Sequence, residues 1–274
     1  MEFKAFKMDG LGNDFVIIDQ RSKNLNLSKK QIIKICDRKF IGCDQLIYIK
    51  KNREIDAGLE FFNSDGSESG ACGNGTRCVA YFLSMENQKK EISVCTSSGN
   101  LKSKILENKE VETEIGIPKL NWNEIPLSQN IDTKNLKLKL IDNDNNEFFG
   151  GIAVNVGNPH VVFFVDNLDN FDLKKIGPEI ENNNLFPKKC NVTIAKKINK
   201  NLVKVKVWER GAGLTKACGT AACATAVAAN LESLSNTMTE IEFSLGKIII
   251  KIDNKNSIHM KGPVSDIKEI NIKM

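Results

Sequence analysis

Ala71-Cys72-Gly73-Asn74-Gly75-Thr76 is answered, 146 positions later (71 to 217), by Ala217-Cys218-Gly219-Thr220-Ala221-Ala222. Working outward from this pair, Gly12-Asn13-Asp14-Phe15-Val16 aligns with Gly157-Asn158-Pro159-His160-Val161 at an offset of 145 (12 to 157). Between these anchors, Phe40 falls on Phe186, Gln45 on Asn191 and Asn63 on Glu209. An ordered series of matches in nearly constant register points to duplication of one structural unit.

The unit is read as sheet-rich. Short β-type runs recur at Phe15 to Ile18, Leu59 to Phe62, Val111 to Ile117, Leu136 to Ile141, Val161 to Val165, Leu202 to Trp208 and Ile248 to Ile252, many alternating apolar with polar as half-buried strands do. Helices are fewer. Ser28 and Gln31 form a capping-box pair ahead of Ile32, Ile33, Ile35 and Cys36. Two more helices follow the repeated cysteines, at 73–84 and 219–231. The second is apolar nearly all round, which predicts a helix buried inside something else. The fold expected is α/β in the α+β sense: two pseudo-symmetric domains, each a mostly antiparallel sheet wrapped around a central helix. Turn-forming residues from Pro118 to Pro126 mark the boundary.

Composition narrows the function. With 274 residues, 41% of them hydrophobic, the chain can build substantial cores. No window approaches the apolar length of a membrane helix, and Met1-Glu2-Phe3-Lys4-Ala5-Phe6-Lys7 lacks a signal peptide's continuous apolar stretch, so a cytoplasmic protein with no membrane partner is expected. The eight cysteines include no CxxC pair and are expected to be free thiols. Two histidines, His160 and His259, without ligand spacing, predict no metal site. The net charge of +5 comes overwhelmingly from lysines mixed with acidic residues; arginines, which dominate base reading, are confined to positions 21, 38, 53, 77 and 210. No nucleic-acid partner is expected, only a mild attraction for anionic small molecules.

Cys72 and Cys218 each stand where a Gly-containing loop leads into a helix. The helix dipole and unpaired N–H groups there are expected to lower a thiol pKa and to hold a carboxylate. Two such cysteines, one from each half of a duplicated fold, can address one carbon from opposite faces, as inversion of a stereocentre requires. One removes a proton while the other delivers one, and their titration belongs to the pair. An amino-acid α-proton is less acidic than a thiol by roughly ten or more pK units, an uphill step of about 13 kcal/mol or more that helix N-termini around the carboxylate would offset. Cys36, Cys43, Cys78, Cys95, Cys190 and Cys223, and His259, are read as structural.

At these residues the chain resembles the diaminopimelate epimerase family. The resemblance lies in Lys7-Met8-Asp9-Gly10-Leu11-Gly12-Asn13-Asp14-Phe15, Asp44-Gln45-Leu46, Asn63-Ser64-Asp65-Gly66-Ser67-Glu68, the Cys72 segment through Cys78, Gly157-Asn158-Pro159-His160, Asn191-Val192, Trp208-Glu209-Arg210-Gly211-Ala212-Gly213 and the Cys218 segment. It implies interconversion of LL- and meso-2,6-diaminopimelate without pyridoxal phosphate or other cofactor, on the lysine and peptidoglycan route, by a homodimer. It also implies domains spanning 1–118, joined by a returning C-terminal strand at 263–274, and 119–262. Cys218 would accept and Cys72 donate the proton from LL to meso. Substrate would be bound by Asn13, Gln45, Asn63, Gly73, Asn74, Asn158, Asn191, Glu209, Arg210, Gly219 and Thr220, with His160 and Glu209 important for catalysis. Two residues depart from the family pattern: Leu214 where Glu is usual, and Ala221 where Gly is usual.

Asn63 against Glu209 and Ser64 against Arg210 break the chemical symmetry of the repeat. Charges of both signs suit the distal zwitterionic end of a diaminodicarboxylate, and count against a two-cysteine racemase of the same architecture acting on proline or hydroxyproline. A non-catalytic basic binding module is the alternative of another class.

Overall fold

The computed structural model describes residues 1–70 and 72–274; Ala71 of the first repeated segment lies outside the described residues. The chain divides into two compact units, one comprising Met1–Glu114 and Lys261–Met274, the other Ile115–Met260.

In the first unit, strand Glu2–Gly10 runs antiparallel to Asn13–Asp19, which lies parallel to Gln45–Lys50. The parallel step needs a crossover, supplied in part by helix α1 (Lys29–Cys36). Gln45–Lys50 then pairs antiparallel with Ala57–Asn63, and Ala57–Asn63 with Glu68–Ser69. Helix α2 (Gly73–Asn87) follows and returns the chain to Glu91–Thr96, parallel to Ala57–Asn63 and antiparallel to Gly99–Ile105. The C-terminal strand Lys268–Lys273 pairs with Glu2–Gly10, Lys7 opposite Lys268 and Glu2 opposite Lys273.

The second unit repeats this order. Ile152–Asn155 is antiparallel to Pro159–Phe164, which is parallel to Asn191–Asn199 across helix α3 (Leu173–Glu181). Asn191–Asn199 pairs antiparallel with Leu202–Glu209, and Leu202–Glu209 with Gly213–Thr215. Helix α4 (Gly219–Leu231) leads to Met238–Phe243, parallel to Leu202–Glu209 and antiparallel to Gly246–Ile252. Even the register is kept: Phe15 faces Gln45 in one unit and His160 faces Asn191 in the other.

Each unit is organised by the helix that follows its cysteine. On α2, Cys78, Val79, Ala80, Phe82 and Leu83 pack against Met8, Phe15, Ile17, Ile47, Ile49 and Phe61 of the sheet; each large apolar side chain so buried contributes about 1.5–3 kcal/mol. Gly75 marks the closest approach, because a Cβ there would lie 2.8 Å from Ile47 Cδ1 and 3.0 Å from Phe61 Cε1. On α4, every residue from Ala221 to Ala229 is buried. Its small side chains bring strands from both ends of the unit against the helix axis, including Ile152–Asn155, Pro159–Phe164 and Gly246–Ile252.

The α/β class expected from the sequence is present: strands dominate, and α1 to α4 are the α-helices among the described residues. All seven β-type runs overlap observed strands, and Ser28 caps α1, its N–H donating to Gln31 Oε1 at 2.8 Å. Helix α3 went unread because Pro178 and Gly177 interrupt its pattern. It forms because the Asp172 side chain accepts from the Lys174 N–H at its N-terminus and because Leu173, Ile176 and Ile180 are buried.

Candidate active site

The two cysteines occupy the same backbone conformation, φ −140°, ψ 116° at Cys72 and φ −139°, ψ 117° at Cys218, each as the N-cap of its helix. An extended residue at this position turns its side chain over the first helical turn, where N–H groups lack intrahelical acceptors. At Cys72 the sulfur accepts from the Gly75 N–H at 3.5 Å. Cys218 makes no such side-chain capping bond, and the nearby Ala221 N–H acts on its sulfur only by favouring the thiolate.

Around Cys72 the first unit gathers amides. The Cys72 thiol donates to Asn13 Oδ1 at 3.8 Å, and Asn74 Nδ2 donates to the same oxygen at 3.2 Å. Asn13 Nδ2 donates to Asp44 Oδ2 at 2.9 Å. On the adjoining strands Gln45 and Asn63 face each other in register, Gln45 Nε2 donating to Asn63 Oδ1 at 2.9 Å, while Asn63 Nδ2 donates to Ser67 Oγ at 3.1 Å. Gly73 opens α2 directly after the cysteine.

Around Cys218 the second unit gathers more varied groups. Its sulfur lies 3.4 Å from Thr220 Oγ1, which accepts from Asn158 Nδ2 at 3.4 Å. Asn158 Oδ1 lies 2.9 Å from His160 Nε2. Asn191 Nδ2 donates to Pro159 O at 2.9 Å and lies 3.5 Å from His160 Nε2, while Asn191 Oδ1 accepts the Arg210 N–H at 3.0 Å. Glu209 touches the thiol itself, and its Oε1 accepts from Thr215 Oγ1 at 2.5 Å. Gly219 is the first residue of α4.

These surroundings set the protonation states. His160 is fully buried, and burial together with the nearby Arg210 charge pulls its pKa down to about 3. The ring is therefore neutral at neutral pH and acts as a dipole rather than a cation. Cys218 goes the other way. A thiol at a helix N-terminus was expected to be acidic, but burial and then the Glu209 charge push Cys218 well above the ordinary thiol value, with Thr220 and the Ala221 N–H only partly opposing them. Desolvation of the thiolate outweighs the helix dipole here because Cys218 is 5% exposed.

The profile of the diaminopimelate epimerase family matches the chain in two segments, residues 5–120 and 152–267. The chain is 73% identical to diaminopimelate epimerase of Pelagibacter ubique over 274 residues, covering all of both chains. It is 40% identical over 264 residues to diaminopimelate epimerase of Acidiphilium cryptum, covering 96% of this chain and 94% of the relative. The chain belongs to the diaminopimelate epimerase family.

Solved structures show that the diaminopimelate epimerase fold extends beyond recognisable sequence. A phenazine biosynthesis protein of the PhzF family from Bacillus anthracis superposes with a TM-score of 0.69 at 16% identity, covering 100% of both chains. A hydroxyproline epimerase from Agrobacterium vitis superposes with a TM-score of 0.68 at 10% identity, covering 100% of this chain and 93% of that one.

The residue-by-residue expectation divides by unit. The second unit joins Asn158, His160, Asn191, Arg210 and Thr220 in one hydrogen-bonded group, with Glu209 and Thr220 both at Cys218. In the first, Asn13 meets Cys72 and Asn74 meets Asn13, whereas Gln45 and Asn63 form a separate pair on the neighbouring strands. The Glu209 charge acts on the Cys218 thiol. The Arg210 guanidinium donates through Nη1 to Lys188 O at 2.9 Å.

Three contributors were not singled out from the sequence. Thr215 holds Glu209, and only the antiparallel pairing of Glu209 with Gly213 brings it there. Asp44 and Arg77 flank the amides at Cys72. Among the described residues no group of three or more His, Cys, Asp or Glu side chains is arranged to hold a metal ion, and no helix is long and apolar enough to cross a membrane.

Proposed function

We propose that this chain is a diaminopimelate epimerase, an isomerase that interconverts LL- and meso-2,6-diaminopimelate by moving the α-proton between two cysteines, without a cofactor, in lysine and peptidoglycan biosynthesis. Its substrate is a small molecule. The domains are 1–118 with 263–274, and 119–262. Each supplies one thiol, Cys72 or Cys218, to opposite faces of the substrate carbon. From LL to meso, Cys218 removes the proton and Cys72 delivers one; the reverse reaction exchanges the roles. Asn13, Gln45, Asn63, Gly73, Asn74, Asn158, Asn191, Glu209, Arg210, Gly219 and Thr220 bind substrate, and His160 and Glu209 assist the proton transfer. The enzyme works as a cytoplasmic homodimer.

One observation supports this reading above the others: two cysteines with matching backbone angles cap corresponding helices in two units of identical strand order, in a chain 73% identical to a diaminopimelate epimerase. The N–H groups of each helix's first turn offer donors to a substrate carboxylate, and they favour the charge that develops as the α-proton leaves. The raised thiol pKa of Cys218 makes its thiolate a stronger base once formed, as removal of a weakly acidic α-proton needs.

The test is to incubate purified protein with LL-diaminopimelate in deuterated water, without added cofactor. Two opposed thiols predict meso product carrying solvent deuterium at the inverted carbon, while recovered LL substrate stays unlabelled early in the reaction. Product that keeps the substrate's own α-proton would exclude the two-base scheme, and turnover of proline or hydroxyproline in place of diaminopimelate would exclude the substrate.

A further inference from the structure

The amides beside Cys72 form a chain whose direction is set at both ends. Arg77 Nη2 donates to Asn74 Oδ1 at 2.9 Å, Asn74 Nδ2 donates to Asn13 Oδ1 at 3.2 Å, and Asn13 Nδ2 donates to Asp44 Oδ2 at 2.9 Å. A carboxamide can be turned over to exchange its oxygen and nitrogen, so Asn74 and Asn13 alone would tolerate either direction. Their outer neighbours do not. A guanidinium has only donors and a carboxylate only acceptors.

Both ends are firmly built. Arg77 is fully buried on α2, in a space left by two glycines: a Cβ at Gly10 would lie 3.3 Å from Arg77 Nη2 and one at Gly262 3.2 Å from Cζ. Asp44 also accepts the Asp14 N–H through Oδ2 at 3.1 Å, and its Oδ1 pairs with Arg38 Nη2 at 2.5 Å. Arg38 also pairs with Asp14, at 2.7 Å.

The second unit has no such device. At the offset of the repeat, Arg77 is replaced by Cys223 (77 to 223) and Asp44 by Cys190 (44 to 190). Asn158, the counterpart of Asn13, is held instead between His160 and Thr220.

We infer that Arg77 and Asp44 are positioning residues that lock the direction of the Asn74–Asn13 amide chain, so that Asn13 always presents its oxygen, never its N–H, to the Cys72 thiol. An oxygen accepts the thiol proton and favours the protonated sulfur; an N–H would favour thiolate. The two halves of the duplicated fold thereby hold their thiols in unlike settings: an amide oxygen faces Cys72, whereas Glu209 and Thr220 face Cys218. The inference rests on reading Cys72 as one of the two proton-transfer groups, but its test does not use turnover.

The test is the pH dependence of alkylation of Cys72 by iodoacetamide in the full chain, followed peptide by peptide by mass spectrometry, with Cys218 in the same sample as internal reference. Asp44→Ala removes the acceptor end, and combined with Asn74→Ala, which removes the donor that otherwise still pins the Asn13 oxygen, it frees the Asn13 amide to reverse. The Cys72 midpoint of this double variant should fall by about one pH unit, a tenfold gain in thiolate at a given acidic pH, with the Cys218 midpoint unmoved. Asp44→Glu in place of Asp44→Ala, which restores an acceptor-only partner, should return the midpoint toward wild type. Loss of a screened surface charge would also favour thiolate, but that contribution fades at 0.5 M KCl, whereas an amide reversal persists there. Should the double variant fail to fold, Asp44→Ser with Asn74→Ala is read in the same way. An unchanged Cys72 midpoint in the folded double variant, or a shift that disappears at 0.5 M KCl, overturns the inference. Normal Cys72 titration in a protein that lacks epimerase activity would count against the proposed function instead.

Discussion

Gly177 sits inside α3 directly beneath Trp208, and replacing it with alanine isolates a single packing contact. A Cβ at Gly177 would lie 2.5 Å from Trp208 Cγ, 2.6 Å from Cδ2 and 2.9 Å from Cβ. Comfortable carbon contacts begin near 3.5 Å, so helix and indole must part by roughly 1 Å. Overpacking of that kind costs about 1–3 kcal/mol, and the better helix propensity of alanine returns at most about 1 kcal/mol. The net loss, about 1–2 kcal/mol, corresponds to a fall in Tm of roughly 2–8 °C. The indole is tied in place: Trp208 Nε1 donates to Glu181 Oε2 at 2.7 Å, and Glu181 Oε1 accepts the Gly211 N–H at 3.1 Å. Displacement therefore reaches the turn that carries Glu209, and kcat should fall by about ten- to a hundredfold. Thermal melts and epimerase kinetics of Gly177→Ala, Trp208→Leu and the double variant measure both effects. If the contact is the cause, the double variant is more stable than the sum of the single losses predicts, by about 1–2 kcal/mol. Strict additivity, or a Gly177→Ala protein as stable as wild type, would refute the reasoning.

Cys72→Ala or Cys218→Ala should each abolish epimerisation while circular dichroism and Tm stay near wild type; near-normal turnover by either folded variant would remove the two-thiol scheme. His160 has a folded pKa of about 3 against an unfolded value near 6.5, so between these values the unfolded chain binds more protons and stability falls as pH falls, by about 1.4 kcal/mol per pH unit. The Tm of the wild type should thus drop more between pH 7 and pH 4.5 than that of His160→Gln, and equal drops would contradict the buried neutral imidazole. Arg210→Met should raise KM for diaminopimelate by about ten- to a hundredfold and weaken discrimination against lysine; unchanged kinetics would make Arg210 a structural partner of Lys188 O.

The duplication, the α/β class and the two cysteines at matching helix N-termini were legible in the sequence, because each depends on residues close together in the chain. A glycine-containing turn, an N-cap and an alternating run are local devices, and a repeat copies them in register. Family membership follows from the same short segments, Asn13-Asp14, Asp44-Gln45, Cys72-Gly73, Asn158-Pro159-His160 and Cys218-Gly219 among them. What tertiary structure decided was the chemistry of those residues. The protonation of Cys218 turns on burial and on the charge of Glu209, nine positions away in sequence and in contact only because Leu202–Glu209 pairs with Gly213–Thr215. His160 is neutral because the second unit closes over it completely. Arg77 reads from sequence as one more arginine on a helix; its full burial and its link through Asn74 and Asn13 to Asp44 exist only once α2 lies against the sheet. Dielectric surroundings and hydrogen-bond direction are properties of assembled atoms, and no local pattern in the chain encodes them.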